Sequence, residues 1–288
     1  PYTTLFRSRV VDDVRFQNEK RNVRAICGDS SGGGVFVRSY GFEDSEDGAG
    51  GGVQLMERGI LDLKALLTFT GPLQGEVLKI VSKSMCESVA LVHRKNFVWS
   101  DVRLENFVLC PLDAETEFEA LRLIRAEESG AGDVLLRRIQ QGLLVVKGID
   151  LESAVQTGSA LRDISPEIIA PEQVEVLSRG ELSSGYSGEF RLDLSEDLIA
   201  SKRADIWALG ISILHLSTGK APLTDGLNLG LATRAVANFD PDSEDRDLGL
   251  CFVRRGNRAI YNMLCGMLQI EPSRRPDVRI LILKNLTF

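Results

Sequence analysis

The chain has 288 residues, 43% of them hydrophobic, and a formal net charge of −7, so it can bury one large core or two modest ones, and nucleic acid is not the expected main partner. No run approaches the roughly eighteen apolar residues of a membrane-spanning helix, so a membrane is not an expected partner either. The five cysteines form no C-x-x-C pair and the two histidines, His93 and His215, lie far apart; this disfavours a zinc site and a Ser-His-Asp triad, and fits reduced thiols in the cytoplasm or nucleus.

Pro1–Ser8 has neither the basic start nor the apolar stretch of a signal peptide. It reads like a translated sequencing-adapter oligonucleotide, so residues 1–8 are expected to be non-native and the natural polypeptide to begin further upstream. An intact transcript carrying these codons would refute that. Val11–Ile26 has the mixed pattern of a surface helix. Two strand-like runs follow, Val35–Tyr40 and Val53–Met56, joined by an exposed hairpin loop rich in Gly, Asp and Glu. The clusters Gly32–Gly34 and Gly50–Gly52 read as turn sequence. Leu61–Leu67 is a short amphipathic helix, Gly71-Pro72 interrupts it, and a longer helix is expected from Glu76 to Val92, where apolar residues recur at three- and four-residue steps.

Trp99–Leu109 places Asp101, Arg103 and Asn106 at offsets of zero, two and five ahead of an apolar β-like run. Asp113–Gln141 is charged and helical-looking. Leu143–Asp150 is a second apolar run ending in an acid, followed by Leu151-Glu152. Ser165–Glu172 contains Ala-Pro-Glu, Asp205–Gly210 opens an apolar helix, and Met263–Pro276 contains Arg275. Taken singly, each of these has an ordinary structural explanation: a turn, a helix cap, a first-turn acid, or a core tryptophan at Trp207.

Their order and spacing together resemble eukaryotic protein kinases, whose catalytic loop reads H-R-D-x-K-x-x-N. The resemblance implies an α+β, two-lobed protein kinase-like fold. A partial, β-rich N-terminal lobe would span residues 9–57 and a mainly α-helical C-terminal lobe residues 58–288, with inserts near 113–141 and 178–196. Both are expected to be surface insertions, which cost little loop entropy. Phe16–Glu19 would sit on the regulatory helix, Met56 would be the gatekeeper, and Glu57, Arg58 and Gly59 would form the hinge, with Asp62 beyond it, all at the nucleotide. No glycine-rich loop and no strand with the phosphate-binding lysine precede Phe16, so Glu19 would lack its partner.

The implied chemistry is transfer of the γ-phosphoryl group from ATP and Mg2+ to a protein hydroxyl. Asp101 would orient and deprotonate the hydroxyl, Arg103 would offset charge on the moving phosphoryl, and Asn106 and Asp150 would hold the metal. Glu172 would pair with Arg275, and Asp205 would hold the catalytic-loop backbone. Four positions depart from the family: Trp99-Ser100 replaces His-Arg, Arg103 replaces Lys, and Glu152 replaces the Gly of Asp-Phe-Gly. Glu resists the torsions that Gly allows and adds negative charge beside the metal. Ser100 removes the arginine that usually receives an activation-segment phosphate, so phosphorylation there is not expected to switch the protein on in the usual way. The context fits a serine/threonine kinase better than a tyrosine kinase. A pseudokinase serving as scaffold or allosteric partner is the alternative. A small-molecule kinase is a third, and the Ala-Pro-Glu, Asp205 and Arg275 features together oppose it.

Overall fold

The structure, a computed structural model, describes residues 6–10, 13–28, 34–44, 52–126, 128, 130–161, 164–179, 198–224, 229–244 and 246–286. It begins with β1 (Phe6–Val10), α1 (Asp13–Cys27), β2 (Ser39–Asp44) and β3 (Gly52–Met56). The three strands form an antiparallel sheet in the order β1-β3-β2. Phe6–Ser8, set aside on sequence grounds, therefore fall within a strand. Phe16 fixes α1 to this sheet. It is fully buried, its ring meets Phe42 edge-on at 5.8 Å, and it crowds Gly52 so closely that no side chain fits there.

β2 starts later than the apolar run predicts, because Val35–Val37 is used elsewhere. Phe36 bridges to Gly148, Val37 N donates to Gly148 O at 3.0 Å, and Gly148 N donates to Val35 O at 2.8 Å. The acidic hairpin connection and most of the glycine-cluster residues lie outside the described residues.

Next come β4 (Leu61–Asp62), α2 (Leu63–Thr70), α3 (Gly75–Arg94), β5 (Phe97–Val98) and β6 (Phe107–Pro111). The Asp62 carboxylate accepts from Ala65 N at 2.7 Å and so caps α2. Beyond β6 lie α4 (Ala114–Ala126), α5 (Ala131–Gln140), β7 (Leu144–Gly148) and β8 (Val155–Gln156). A second sheet has the order β4-β6-β7, and β5 pairs with β8. The helices α6 (Pro171–Arg179), α7 (Lys202–Thr218), α8 (Leu229–Ala237), α9 (Leu250–Gly256), α10 (Arg258–Met267) and α11 (Val278–Asn285) complete the chain. α7 is apolar almost all round, so it runs through the core, buried from Ala204 to Leu214. It starts at a Ser201 cap and stops at Gly219, whose φ of 70° suits a residue without a Cβ.

The stretch 113–141, helical-looking in the sequence, forms two helices, α4 and α5, and part of it is built into the core. Ala120, Leu135 and Ile139 join the main apolar cluster, and α5 packs on α2, α3 and β7. Gly132 permits this, since a Cβ there would sit on the Phe69 carbonyl. The second expected insert lies, beyond the end of α6, outside the described residues. Among the described residues no helix is long and apolar enough to cross a membrane.

Candidate functional site

The loop between β5 and β6 is shaped by one buried acid. Asp205, 1% exposed at the start of α7, accepts from Trp99 N (2.8 Å) and Ser100 N (2.9 Å) and touches His93 Nε2 at 2.8 Å. Ser100 takes a φ of 62°, unusual for a residue with a side chain. Those backbone bonds hold it there, and its Oγ donates to Ser153 O at 2.8 Å.

Asp101 and Asn106 are locked together. Asn106 Nδ2 donates to Asp101 O at 2.9 Å and to Asp101 Oδ2 at 2.7 Å. Arg103 Nε lies 3.2 Å from the same Oδ2. Burial works against the Arg103 charge, but the carboxylates of Asp101, Glu105, Glu167 and Asp150 outweigh it and raise the guanidinium pKa. Ile149 N donates to Asn106 O at 2.9 Å, which brings Asp150 alongside the loop.

Trp99 takes on a definite task. The indole is fully buried, wedged between Phe36 and Phe107 with ring centroids 5.1 and 5.2 Å away. Its Nε1–H donates to Asp150 O at 2.7 Å. Asp150 has a φ of 61°, and its carboxylate accepts from Glu152 N at 3.2 Å. Burial raises the Asp150 pKa, against the pull of that N–H, Arg103 and Arg15.

α1 grips the same segment from the other side. Glu19 Oε2 accepts from Leu151 N at 2.7 Å, and Asn22 Nδ2 donates to Leu151 O and Ala154 O, both at 2.7 Å. Glu19, expected to lack a partner, thus spends its carboxylate on a backbone amide. Burial first, and Asp150 second, push its pKa well above the usual carboxylate range.

A cleft of about 400 Å3 opens between these groups and β3. Glu19, Met56, Glu57, Gly59, Asp62 and Asp150 line it, together with Glu105 and Glu152. Arg58 does not, because its guanidinium turns away to Glu117 on α4, 3.4 Å off. The Glu57 side chain is engaged by Lys147 on β7 at 2.6 and 2.8 Å and by Arg38 N at 3.0 Å. Gly59 lets the β3–β4 connection approach β6, since a Cβ there would lie 2.8 Å from Val108 Cβ. Away from the cleft, Arg275 makes a two-pronged pair with Glu172, both contacts 2.7 Å.

This arrangement has known counterparts in architecture. The chain is similar to a crystal structure of the Rad53 kinase domain and SCD2, with a TM-score of 0.60 over 98% of this chain and 81% of that one. The fold is protein kinase-like. Identity to that structure is 14%, so the likeness is one of architecture. No protein-family model matches the chain, and no curated protein sequence does.

Within that architecture the carboxylates that line the cleft are of the type that suits a hard dication. Among the described residues no three His, Cys, Asp or Glu side chains form a metal cage of their own. Magnesium is ordinarily held by one or two carboxylates plus substrate oxygens; Asp150 lines the cleft, and Asn106 lies on the adjoining loop, joined to that segment through Ile149 N. The cleft volume also falls within the usual range for small-ligand sites. The sequence reading missed three contributors: Asn22, Lys147 and the indole N–H of Trp99. Asn22 lies one turn beyond Glu19 on α1, a helical spacing that could have revealed it. Lys147 could have been found only from its strand register opposite Val108.

Proposed function

We propose that the chain is a protein kinase that moves the ATP γ-phosphoryl group to a protein hydroxyl, with the two-lobed organisation that the resemblance implies. A partial N-terminal lobe would span residues 9–57, and the serine/threonine class is the better fit. The observation that carries the reading is the Asp101–Arg103–Asn106 constellation held 2.7–3.2 Å apart and joined through Ile149 to Asp150. Asp101, fixed by Asn106, is poised to accept a hydroxyl proton. Arg103 keeps its charge beside it and would face the phosphoryl oxygens. Asp150 and Asn106 would hold magnesium, which when bound neutralises charge on the phosphates. The backbone at Glu57 and Gly59 would meet the adenine, and Asp62 would lie near the ribose.

A specific observation favours a second reading, a pseudokinase. β1 contains no lysine, and Glu19 is committed to Leu151 N, so among the described residues Glu19 pairs with no lysine. One experiment separates the two readings: thermal shift with and without Mg-ATP, followed by radiolabel transfer for wild type and Asp101→Asn. Transfer lost in the variant supports the kinase. Binding without Asp101-dependent transfer establishes the pseudokinase.

A further inference from the structure

We propose that Lys147 is a positioning residue for the nucleotide base, acting through the side chain of Glu57. The inference deepens the nucleotide-binding part of the reading above and rests on it. Its starting point is the connection between β3 and β4, residues 57–60, which has no regular structure yet is tied down along its length. Glu57 N donates to Arg38 O at 2.7 Å, and Arg38 N returns a bond to Glu57 Oε2 at 3.0 Å. The Arg58 guanidinium reaches Glu117 on α4 at 3.4 Å. Gly59 lies against Val108, and Ile60 N donates to Leu109 O at 2.8 Å.

Lys147 completes this set of ties. It stands on β7 opposite Val108 of β6, the residue that Gly59 approaches. From there its ammonium meets both oxygens of the Glu57 carboxylate, at 2.6 and 2.8 Å. Only 14% of the lysine side chain and 23% of the glutamate side chain are exposed. A charge withdrawn that far from water is costly unless it is paired, so each group holds the other in place.

The ties leave certain backbone groups over. Among the described residues Glu57 O, Gly59 N and Gly59 O make no hydrogen bond, and both residues line the cleft. Unpaired donors and acceptors on a fixed connection form a polar edge that a flat heterocycle can meet. Their aim depends on Glu57, whose amide and carboxylate anchor the start of the connection. Without Lys147 the carboxylate keeps Arg38 N alone and is drawn toward water, and the open space beside it is the cleft. The carbonyl of the same residue then loses its aim on an exocyclic amine of the base.

The test is calorimetric titration of the full chain with Mg-ATP and with the magnesium complex of purine riboside triphosphate, whose base lacks the exocyclic amine. Lys147→Met should weaken Mg-ATP roughly five- to tenfold, the worth of about one hydrogen bond. The amine-free analogue should change by no more than about twofold. Adding Glu57→Gln to Lys147→Met should recover most of the loss, because the amide keeps the Arg38 N bond without a stranded charge. Glu57→Asp, one methylene too short to serve Lys147 and Arg38 N together, should reproduce the selective loss, and it carries the test if Lys147→Met does not fold. Equal weakening of both ligands would mean that Lys147 only supports the fold, and would overturn the proposal. So would unchanged Mg-ATP affinity, or a loss that the double variant fails to recover. Wild type that binds the two ligands equally well refutes the role of Lys147 alone. Wild type that binds neither overturns the nucleotide reading together with it.

Discussion

Replacing Arg275 by alanine should damage the fold far more than any surface substitution. The side chain is completely buried and spends its donors on five acceptors. Two are the Glu172 carboxylate oxygens, each at 2.7 Å. The others are the carbonyls of Gln269 (2.7 Å), Arg203 (2.9 Å) and Ile270 (3.2 Å). The guanidinium also lies over the Trp207 ring, 5.2 Å from its centroid. Breaking one side of a buried pair costs about 3–5 kcal/mol. The Glu172 side chain keeps 27% of its exposure, so water recovers part of that and about 3 is the better starting point. Three orphaned carbonyls add about 1 kcal/mol each at the least, and shared partners make the sum less than additive. The expected loss is therefore about 4–5 kcal/mol, a large share of the roughly 5–15 kcal/mol that holds a typical domain together. Urea denaturation followed by far-ultraviolet circular dichroism measures it, with a thermal midpoint about 10 °C lower or more as corroboration. Arg275→Lys should lie between wild type and alanine, because an ammonium cannot serve the same fork of acceptors. A loss below about 2 kcal/mol for Arg275→Ala, or a lysine variant as stable as wild type, would refute this reasoning.

Glu19 should impose a pH slope on stability. Its pKa is raised in the folded state by burial and by Asp150, so over the window above the ordinary value near 4.5 the folded chain binds more protons than the unfolded one. Stability then falls as pH rises through the folded pKa, and Glu19→Gln should be the more stable protein at pH 8 but not at pH 5. Parallel denaturation curves at the two pH values decide it, and an equal difference at both would contradict the assignment. Gly132→Ala should destabilise by about 1–3 kcal/mol, because the new methyl meets the Phe69 carbonyl; a neutral result in thermal denaturation would mean that α5 is only loosely docked. Trp99→Phe should cost about 1–2 kcal/mol by orphaning Asp150 O and speed amide exchange at Leu151. Unchanged exchange there would show that the indole N–H does not hold the segment.

Much of the site was legible in the sequence because it is built from short-range spacing. Asp101, Arg103 and Asn106 lie within one loop, and their mutual geometry follows from that loop's own turns. The pairing of Glu172 with Arg275 could be expected only through resemblance, since 103 positions separate them. Other features were hidden for physical reasons. The helices α4 and α5 carry so much charge that they read as a solvated face, and their docking depends on Gly132 meeting a carbonyl more than sixty positions away. Val35–Val37 looks like a strand because it is apolar, yet its partner is the single residue Gly148. Trp99 and Glu152 appeared as defects when set against a motif, but each has a partner, Asp150 O and Arg15, that only the fold supplies.

The placement of the tryptophans has an optical consequence. The chain has two, and they report on different places. Trp99 touches the carbonyl of Asp150 and sits between Phe36 and Phe107. Trp207 lies beneath Arg275 and meets Phe239 edge-on at 5.5 Å. With either one replaced by phenylalanine, the emission of the other becomes a single-site signal. Trp207 alone then follows the anchoring of Arg275, and Trp99 alone follows the turn at Asp150, so loosening of the cleft and loosening of the helical core can be told apart in one cuvette without an added dye.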